Sequence, residues 1–349
     1  MSDALYTAIP KATRLALTHR EVELVASLHG LSLLHYGGPI ALRDFPDYVV
    51  MKDAAMVLCE PAAAQTLAIA MSKYGWQTDP GECEFCTQMV HPERGLEVLI
   101  FTQSPAVTGT WPSIFQALWR RHRIDRSGYP HLAVPDFWDH CALMLADLTR
   151  GFADNPQYAR RNRLAVESKI PDTERTYFYQ RLRELTLLDA VYPIGGATQS
   201  PAQRRRIAAT STPLPVSRRV ATWFYRVADA PTTKLRLRSA FGRTPTKRER
   251  FLPGEEAIAT PTSRIAPDIA WNLDDDGVTL LPLNAPAPVR LLGSARLVWQ
   301  LLATGASDDE LVDVITQEVS GVPPYADQQI RDVITQLSQM KLLAPPPEG

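Results

Sequence analysis

The last part of the chain, residues 263–349, carries the pattern that most restricts its fold. Two apolar stretches, DIAWNL and GVTLLPL, flank an acidic turn at residues 274–277, and a third extended stretch, APVRLL, follows. Short apolar runs bounded by turn residues are typical of strands. Three amphipathic stretches then follow, at residues 294–304, 308–319 and 325–342. This order predicts a small winged-helix-like α+β module of three strands and three helices, with Ser294 and Ser307 as helix N-caps.

This ordered pattern resembles the PqqD-like family, the recognition elements of ribosomally made, post-translationally modified peptides. In that family a strand leads into a helix of the type small-Ala-x-x-Ile/Trp-x-Leu-Leu-x-Gly, and the last helix ends Leu-x-x-x-Gly-Leu-Leu. The matching positions of this chain are Ser294, Ala295, Trp299, Leu301, Leu302, Gly305, Leu311, Val312, Val333, Leu337, Leu342 and Leu343. The chain departs from the pattern at Leu292-Gly293, where Leu-Asn is usual, and at Lys341, near the usual glycine.

The resemblance implies that the module binds the leader segment of a precursor peptide. An open sheet edge accepts an extended peptide as an additional strand, and pockets beside the edge select side chains. The expected edge consists of Val289, Arg290, Leu291 and Leu292, and the expected opposite wall consists of Ile330, Val333 and Leu337. Two alternatives stay open, a structural or partner-docking module and a DNA-binding winged helix. The last helix is nearly neutral, which argues against DNA.

The N-terminal hundred residues read helix, strand, helix, strand, strand. Gly37-Gly38-Pro39 interrupts the first helical pattern, and Pro61 marks the first turn of a later helix. The expected elements are a helix over residues 20–35, a short helix over 40–43, a strand within 48–58, a helix from 61 to about 75, and two strands within 85–103.

This stretch resembles nucleotidyltransferases of the DNA-polymerase-β type over roughly residues 25–150. The resemblance rests on the small-residue loop Gly37-Gly38, the strand that carries Asp53, the helix end at residues 73–76, and His91 in a following strand. The family implies a site with two Mg²⁺ ions, because nucleotidyl transfer develops charge that the ions neutralise. In that family the first strand carries Asp-x-Asp and a neighbouring strand carries a third carboxylate.

This chain lacks part of that carboxylate set. The three positions read Asp53, Ala55 and Leu99, and alanine and leucine cannot ligate a metal. Glu97, two residues before Leu99, is a possible substitute on the same face of its strand. We therefore expect a degenerate nucleotidyltransferase-like domain that is not an enzyme and uses no cofactor. The alternatives are an active enzyme that uses Asp53, Glu97, Mg²⁺ and a nucleoside triphosphate, and an unrelated scaffold.

The two resemblances, together with the charge and proline distribution, suggest four regions: a nucleotidyltransferase-like domain (1–110), a helical extension (111–200), a basic connector (201–262) and the PqqD-like domain (263–349). Residues 204–250 contain thirteen Lys and Arg against two acids. Such a run is usually a solvated face, but it would also suit an acidic precursor peptide or an acidic partner enzyme. The net charge of −1 for the whole chain makes nucleic acid an unlikely partner.

Together these features predict a cytoplasmic accessory protein. It would bind a leader peptide and present it to a separate modifying enzyme. The sequence has no apolar run long enough for a membrane span and no secretory signal pattern, and its four cysteines are expected to be reduced. The two alternatives are a nucleotidyltransferase that modifies a peptide or small molecule with its recognition domain in cis, and a pure assembly scaffold without peptide affinity.

Overall fold

The computed structural model describes helices and strands on both sides of the predicted basic connector, which itself lies outside the described residues. Helices and strands are intermixed along the chain, which confirms the predicted α+β class. The described residues are 9–50, 54–79, 85–103, 111–150, 156–191, 264–274, 277–283, 285, 287–318 and 325–344.

The first sheet has five strands, which are β1 (Leu34–Tyr36), β2 (Ala54–Leu58), β3 (Gln77–Asp79), β4 (Cys86–His91) and β5 (Leu96–Phe101). They are hydrogen-bonded in the order β1-β2-β5-β4-β3. The central pair β2 and β5 is parallel, and the other neighbouring pairs are antiparallel. The two strands predicted within residues 85–103 are confirmed as β4 and β5.

Apolar side chains cover both faces of this sheet. Alternate residues of a strand point to opposite faces. Accordingly, Ala55 and Val57 belong to one buried cluster, whereas Ala54 and Leu58 belong to another. Burial on both faces explains why β2 is a continuous apolar run and does not alternate with polar residues.

Three helices accompany the strands of this region, namely α1 (Lys11–Leu28), α2 (Gly38–Asp44) and α3 (Pro61–Ser72). The predicted helix over residues 20–35 is wrong at both ends. Gly30 adopts a left-handed φ of 64°, and the Leu31 N–H donates to the Ala26 carbonyl at 3.0 Å, so the chain leaves the helix there. Residues 34–36 pair with β2 as a strand.

The region after β5 is mostly helical, as predicted, but short strands interrupt it. The helices are α4 (Trp111–Trp119), α5 (Phe137–Arg150), α6 (Pro156–Glu167), a 3₁₀ turn (Asp172–Glu174), α7 (Arg175–Glu184) and α8 (Leu188–Val191). The strands are β6 (Arg123–Asp125), β7 (Gly128–Tyr129) and β8 (Leu132–Val134). Strands β6 and β8 form an antiparallel pair between α4 and α5.

Three strands and three helices follow one another in the predicted order near the end of the chain. They are β9 (Ile269–Leu273), β10 (Gly277–Pro282), β11 (Val289–Leu292), α9 (Gly293–Ala303), α10 (Asp308–Glu318) and α11 (Ala326–Gln339). The four strands β11, β10, β9 and β7 are hydrogen-bonded in that order. The likeness to a winged helix stays a prediction.

The contacts within the chain divide it into two compact units. The first unit covers Met1–Leu214, Ala270–Leu273 and Thr279–Val289. The second covers Pro215–Ile269, Asp274–Val278 and Arg290–Gly349. The predicted boundaries near residues 110, 200 and 262 lie outside the described residues.

One of the two predicted N-caps is present. The Ser307 hydroxyl accepts the Glu310 N–H at 3.3 Å, and the Glu310 carboxylate accepts the Ser307 N–H at 2.9 Å, which is a capping box. The Glu310 carboxylate also accepts the Ser307 hydroxyl at 3.0 Å, and the two hydrogen bonds that Ser307 donates to this carboxylate lower the pKa of Glu310. Ser294 is not an N-cap, because α9 begins one residue earlier and Leu292 occupies the capping position.

The end of α11 offers a test of the local structure. Lys341 has a left-handed φ of 58°, its N–H donates to the Ser338 carbonyl, and the Leu342 N–H donates to the Leu337 carbonyl. This is a Schellman motif, in which glycine is usual at the position of Lys341. We expect Lys341→Gly to raise the free energy of unfolding by about 1 kcal/mol, measured by urea denaturation.

Gly305, which holds the same position after α9 with a φ of 84°, provides the matched control. Gly305→Lys should lower the free energy of unfolding by a similar amount. A Lys341→Gly protein no more stable than the wild type would contradict this description of the helix end.

Candidate functional site

The predicted peptide-binding strand lies at one end of the second sheet. In the order of that sheet, β11 has β10 as its single neighbour within the described part of the chain. Leu291 is buried, whereas the side chain of Leu292 is 55% exposed. Val289 and Arg290 are half-buried. The strand therefore presents backbone N–H and C=O groups and one large apolar side chain, that of Leu292, at the edge of the sheet.

Two contacts hold β11 against the start of β10. A Cβ atom on Gly277 would lie 2.6 Å from the Leu291 carbonyl oxygen, so the close approach of the two strands requires glycine. Arg290 donates from Nη2 to Asp274 Oδ1 at 3.1 Å, and the same oxygen accepts the Gly277 N–H at 2.8 Å. The acidic turn predicted from the sequence thus fixes the position of the edge strand.

The predicted opposite wall belongs largely to the core of the helical part. Ile330 and Leu337 are buried, and Val333 is half-buried. They lie on α11, which packs against α9 and α10. Of the three, Val333 alone retains appreciable exposed surface. The assignment of all three to peptide binding stays a prediction.

The positions predicted to correspond to a metal site do not share one face of the first sheet. Ala55 is fully buried in one apolar cluster, whereas Leu99 belongs to the cluster on the other side. Glu97 is half-buried and pairs with Ala54, so it shares the face of Leu99, as predicted. The alignment of Ala55 and Leu99 as two parts of one ligand set is therefore wrong. Asp53 lies outside the described residues.

Metal-ligating side chains do not cluster within the described ranges. No group of three or more His, Cys, Asp or Glu side chains there could hold a metal ion. The helices in those ranges include none that is long and apolar enough to cross a membrane. Cys59 and Cys141 are buried thiols, but Cys86 is disulfide-bonded, so the expectation of four reduced cysteines is wrong.

The polar residues of α1 form a buried network that the sequence did not reveal. His19, Arg20 and Glu21 have no exposed surface. Arg20 donates from Nη2 to Asp125 Oδ2 at 2.5 Å, and Arg43 pairs with the same carboxylate. Burial alone would raise the pKa of Asp125, but the two guanidinium charges outweigh it and hold that pKa well below its usual value.

A second buried ion pair ties α1 to the turn after β4. Arg94 donates from Nη1 to both carboxylate oxygens of Glu21, at 2.9 and 2.8 Å. Burial raises the pKa of Glu21, and the Arg94 charge opposes this rise. Breaking such a pair would leave an uncompensated buried charge, which costs about 3–5 kcal/mol. We interpret this pair as part of the packing of α1.

A chain of two histidines and a carboxylate lies next to these pairs. His19 Nδ1 is 3.0 Å from His35 Nδ1, and His35 Nε2 is 2.8 Å from Glu23 Oε2. Burial lowers the pKa of His35 to about 3, so this ring is neutral at physiological pH. Burial raises the pKa of Glu23 to about 8. The three side chains can therefore share protons without a net buried charge on the rings.

A further cluster of polar side chains joins α2 to α5. Asp44 accepts a hydrogen bond from His140 Nδ1 at 2.7 Å and pairs with Arg123. Burial favours the neutral form of Asp44, but these two partners lower its pKa to about 2. This pairing spans 96 residues of sequence, which no local pattern could have predicted.

Comparisons with known proteins add little to this geometry. No protein-family model and no curated protein matches the chain. The solution structure of the antibiotic-resistance factor ANT(2'')-Ia aligns with 51% of this chain and 97% of its own length, at 13% identity and a TM-score of 0.33. Similarity at this level carries no argument about fold or activity. The two family resemblances therefore stay predictions.

The raised pKa of Glu23 predicts a pH dependence of stability. The unfolded chain releases the Glu23 proton above about pH 4.5, whereas the folded chain keeps it up to about pH 8. The contribution of protonated Glu23 to the free energy of unfolding is therefore complete below about pH 4.5 and is lost as the pH rises to about 8. In Glu23→Gln this loss is absent. We expect the free energy of unfolding of the wild type to fall, relative to Glu23→Gln, by on the order of 2 kcal/mol between pH 5 and 8.

Denaturant titrations at several pH values measure this difference. Glu93→Gln, at an exposed position, is the matched control and should keep the wild-type pH dependence. Parallel pH curves for the wild type and Glu23→Gln would show that Glu23 has an ordinary pKa.

Proposed function

We propose that this chain is an accessory protein that binds the leader segment of a ribosomally made precursor peptide. The peptide adds as a strand to β11, and the chain presents it to a separate modifying enzyme. The observation that carries this proposal is the terminal position of β11 in its sheet among the described strands. An outermost strand offers a row of backbone donors and acceptors to an extended segment.

The side chains around the edge suggest how the peptide is recognised. Leu292 at the end of β11 provides exposed apolar surface, and Val333 on α11 is half-buried. Backbone hydrogen bonds to β11 supply affinity for many sequences, and contacts with apolar side chains select among them. Ile330 and Leu337 contribute by holding α11 in place, since both are buried.

In this proposal the first unit supports peptide presentation and needs neither Mg²⁺ nor a nucleotide. The directions in which the strand side chains point support this part of the proposal. Ala55 and Leu99 point to opposite sides of the sheet, and Glu97 lies on the side of Leu99. A two-metal site needs carboxylates that converge on one point. The described strands supply one acidic side chain, Glu97, on that face of β2 and β5.

Peptide binding can be measured by fluorescence anisotropy with synthetic peptides that tile the short open reading frames next to the gene for this chain. At least one peptide should bind the wild type. Leu292→Arg should weaken that binding about tenfold or more, because it replaces an apolar contact worth at least about 1.4 kcal/mol with a charge. Adding Mg²⁺ and ATP should leave the affinity unchanged.

Ile69→Arg is the matched control, because Ile69 is 59% exposed and lies on α3 in the first unit. It should bind the peptide as the wild type does. The proposal is wrong if none of the tiled peptides binds, or if Leu292→Arg and Ile69→Arg bind equally well.

A further inference from the structure

The backbone of β11 alternates between a side that faces β10 and a side that faces the open edge of the sheet. The Leu291 carbonyl oxygen lies against Gly277 of β10, where a Cβ atom would be 2.6 Å away. The N–H and C=O groups of one strand residue point to the same neighbouring strand, and those of the next residue point to the opposite side. The backbone groups of Arg290 and Leu292 therefore point away from β10.

This outward row of backbone groups is short at both ends. Pro288, which directly precedes β11, has no N–H group to donate. At the other end, Leu292 keeps an extended backbone with a φ of −121° and a ψ of 163°, whereas Gly293 has a left-handed φ of 55° and begins α9. Within β11 the outward N–H donors and C=O acceptors are therefore those of Arg290 and Leu292.

The side chains of these two residues lie on one face of the sheet. A Cβ atom on Gly277 would be 2.8 Å from Leu292 Cδ2 and 3.5 Å from Arg290 Nε, so both side chains lie beside the bare glycine backbone. Leu292 is 55% exposed, and the Arg290 guanidinium donates to Asp274. A strand that adds to β11 places every second side chain on this face. One of those side chains meets the exposed surface of Leu292.

A second copy of this chain fits the same edge poorly. Two β11 edges would pair over a few residues, and very short edge strands are one means by which proteins avoid pairing edge to edge. Two-fold pairing would also bring two copies of Arg290 onto one short patch, and like charges on paired strands are destabilising. A separate short peptide avoids both problems.

We propose that β11 recognises a short extended segment through the backbone groups of Arg290 and Leu292. This inference rests on the proposed function and specifies the class of peptide that binds. In either direction of the peptide, its N–H groups pair with β11 at two positions that are separated by one residue, so neither position can be proline. The residue between them directs its N–H away from β11 and can lack that group. An apolar side chain beside Leu292 completes the match.

Nuclear magnetic resonance measurements of amide exchange in the free full chain test the register without any peptide. The Arg290 and Leu292 amides should exchange with solvent at least about tenfold faster than the Leu291 amide, which faces β10. Slow exchange at Arg290 and Leu292 with fast exchange at Leu291 would overturn the assigned register. Protection of the two outward amides that grows with protein concentration would show that a second copy occupies the edge, which also overturns the proposal.

Peptides with a single backbone N-methyl group test the recognition rule, starting from a peptide that binds in the anisotropy measurement. N-methylation at each of two positions separated by one residue should weaken binding about tenfold, because a hydrogen bond to β11 is lost. N-methylation of the residue between them is the matched control and should change the affinity less than about twofold.

The N-methyl series separates failure of this inference from failure of the proposed function. Similar losses at three successive residues, or no loss at any position, would overturn the inference while peptide binding itself stands. The absence of any binding peptide would overturn both.

Leu292→Ala tests the side-chain contact, because it removes apolar surface and keeps the backbone groups. Alanine in place of the apolar peptide residue should weaken binding to the wild type about tenfold and weaken binding to Leu292→Ala much less. Equal losses with the two proteins would show that this peptide side chain does not meet Leu292, and would contradict this part of the proposal.

Discussion

A backbone N–H or C=O group that faces neither water nor a partner is energetically costly, so the outermost strand of a sheet must present half of its groups to solvent or to another chain. In the second sheet this condition falls on the two terminal strands among the described residues, β11 at one end and the two-residue strand β7 at the other. Strand β7 pairs with Trp271 and Asn272 of β9. This pairing requires Gly128, since a Cβ atom there would lie 2.2 Å from the Trp271 carbonyl oxygen. The strand at that end has two residues, whereas β11 has four, and the proposed function depends on β11.

The first unit has a different organisation, in which apolar packing and buried ion pairs both fix the position of α1. The parallel pair β2 and β5 separates two apolar clusters, and α1 contributes to one of them through residues such as Val22 and Val25. The polar side of α1 is also buried, where Arg20 meets Asp125 and Glu21 meets Arg94. Removing one partner of such a pair leaves an uncompensated buried charge, which disfavours other arrangements of the helix.

The sequence predicts those elements whose signals are local. Strands β4 and β5, with their turn, and the three helices near the end of the chain follow from apolar periodicity and capping residues. The predicted start of α1 lies too far along the sequence, because the first turns of this helix are polar. The predicted end also lies too far along, because Gly30, which ends the helix, is less conspicuous than Gly37-Gly38. The strand β1 is too short for periodicity to reveal.

The candidate sites also contain some features that local sequence signals predict and others that depend on tertiary packing. The edge strand β11 was predicted at its observed residues, whereas the burial of Ile330 and Leu337 depends on the packing of α11 against two other helices. The network around Arg20 and Asp125 joins side chains that are 105 residues apart. The run Thr-His-Arg-Glu-Val-Glu at residues 18–23 resembles a solvated helix face, and tertiary contacts alone show that most of it is buried.

Hydrogen exchange of the backbone amides of β11, measured with and without a bound leader peptide, tests the central claim most directly. Strand addition pairs outward-facing amides of the edge strand with the peptide. We therefore predict slower exchange in β11 on binding, with little change in β9, which already has a neighbour on each side. Unchanged exchange in β11 in the saturated complex, with slower exchange elsewhere, would show that the peptide binds by another route.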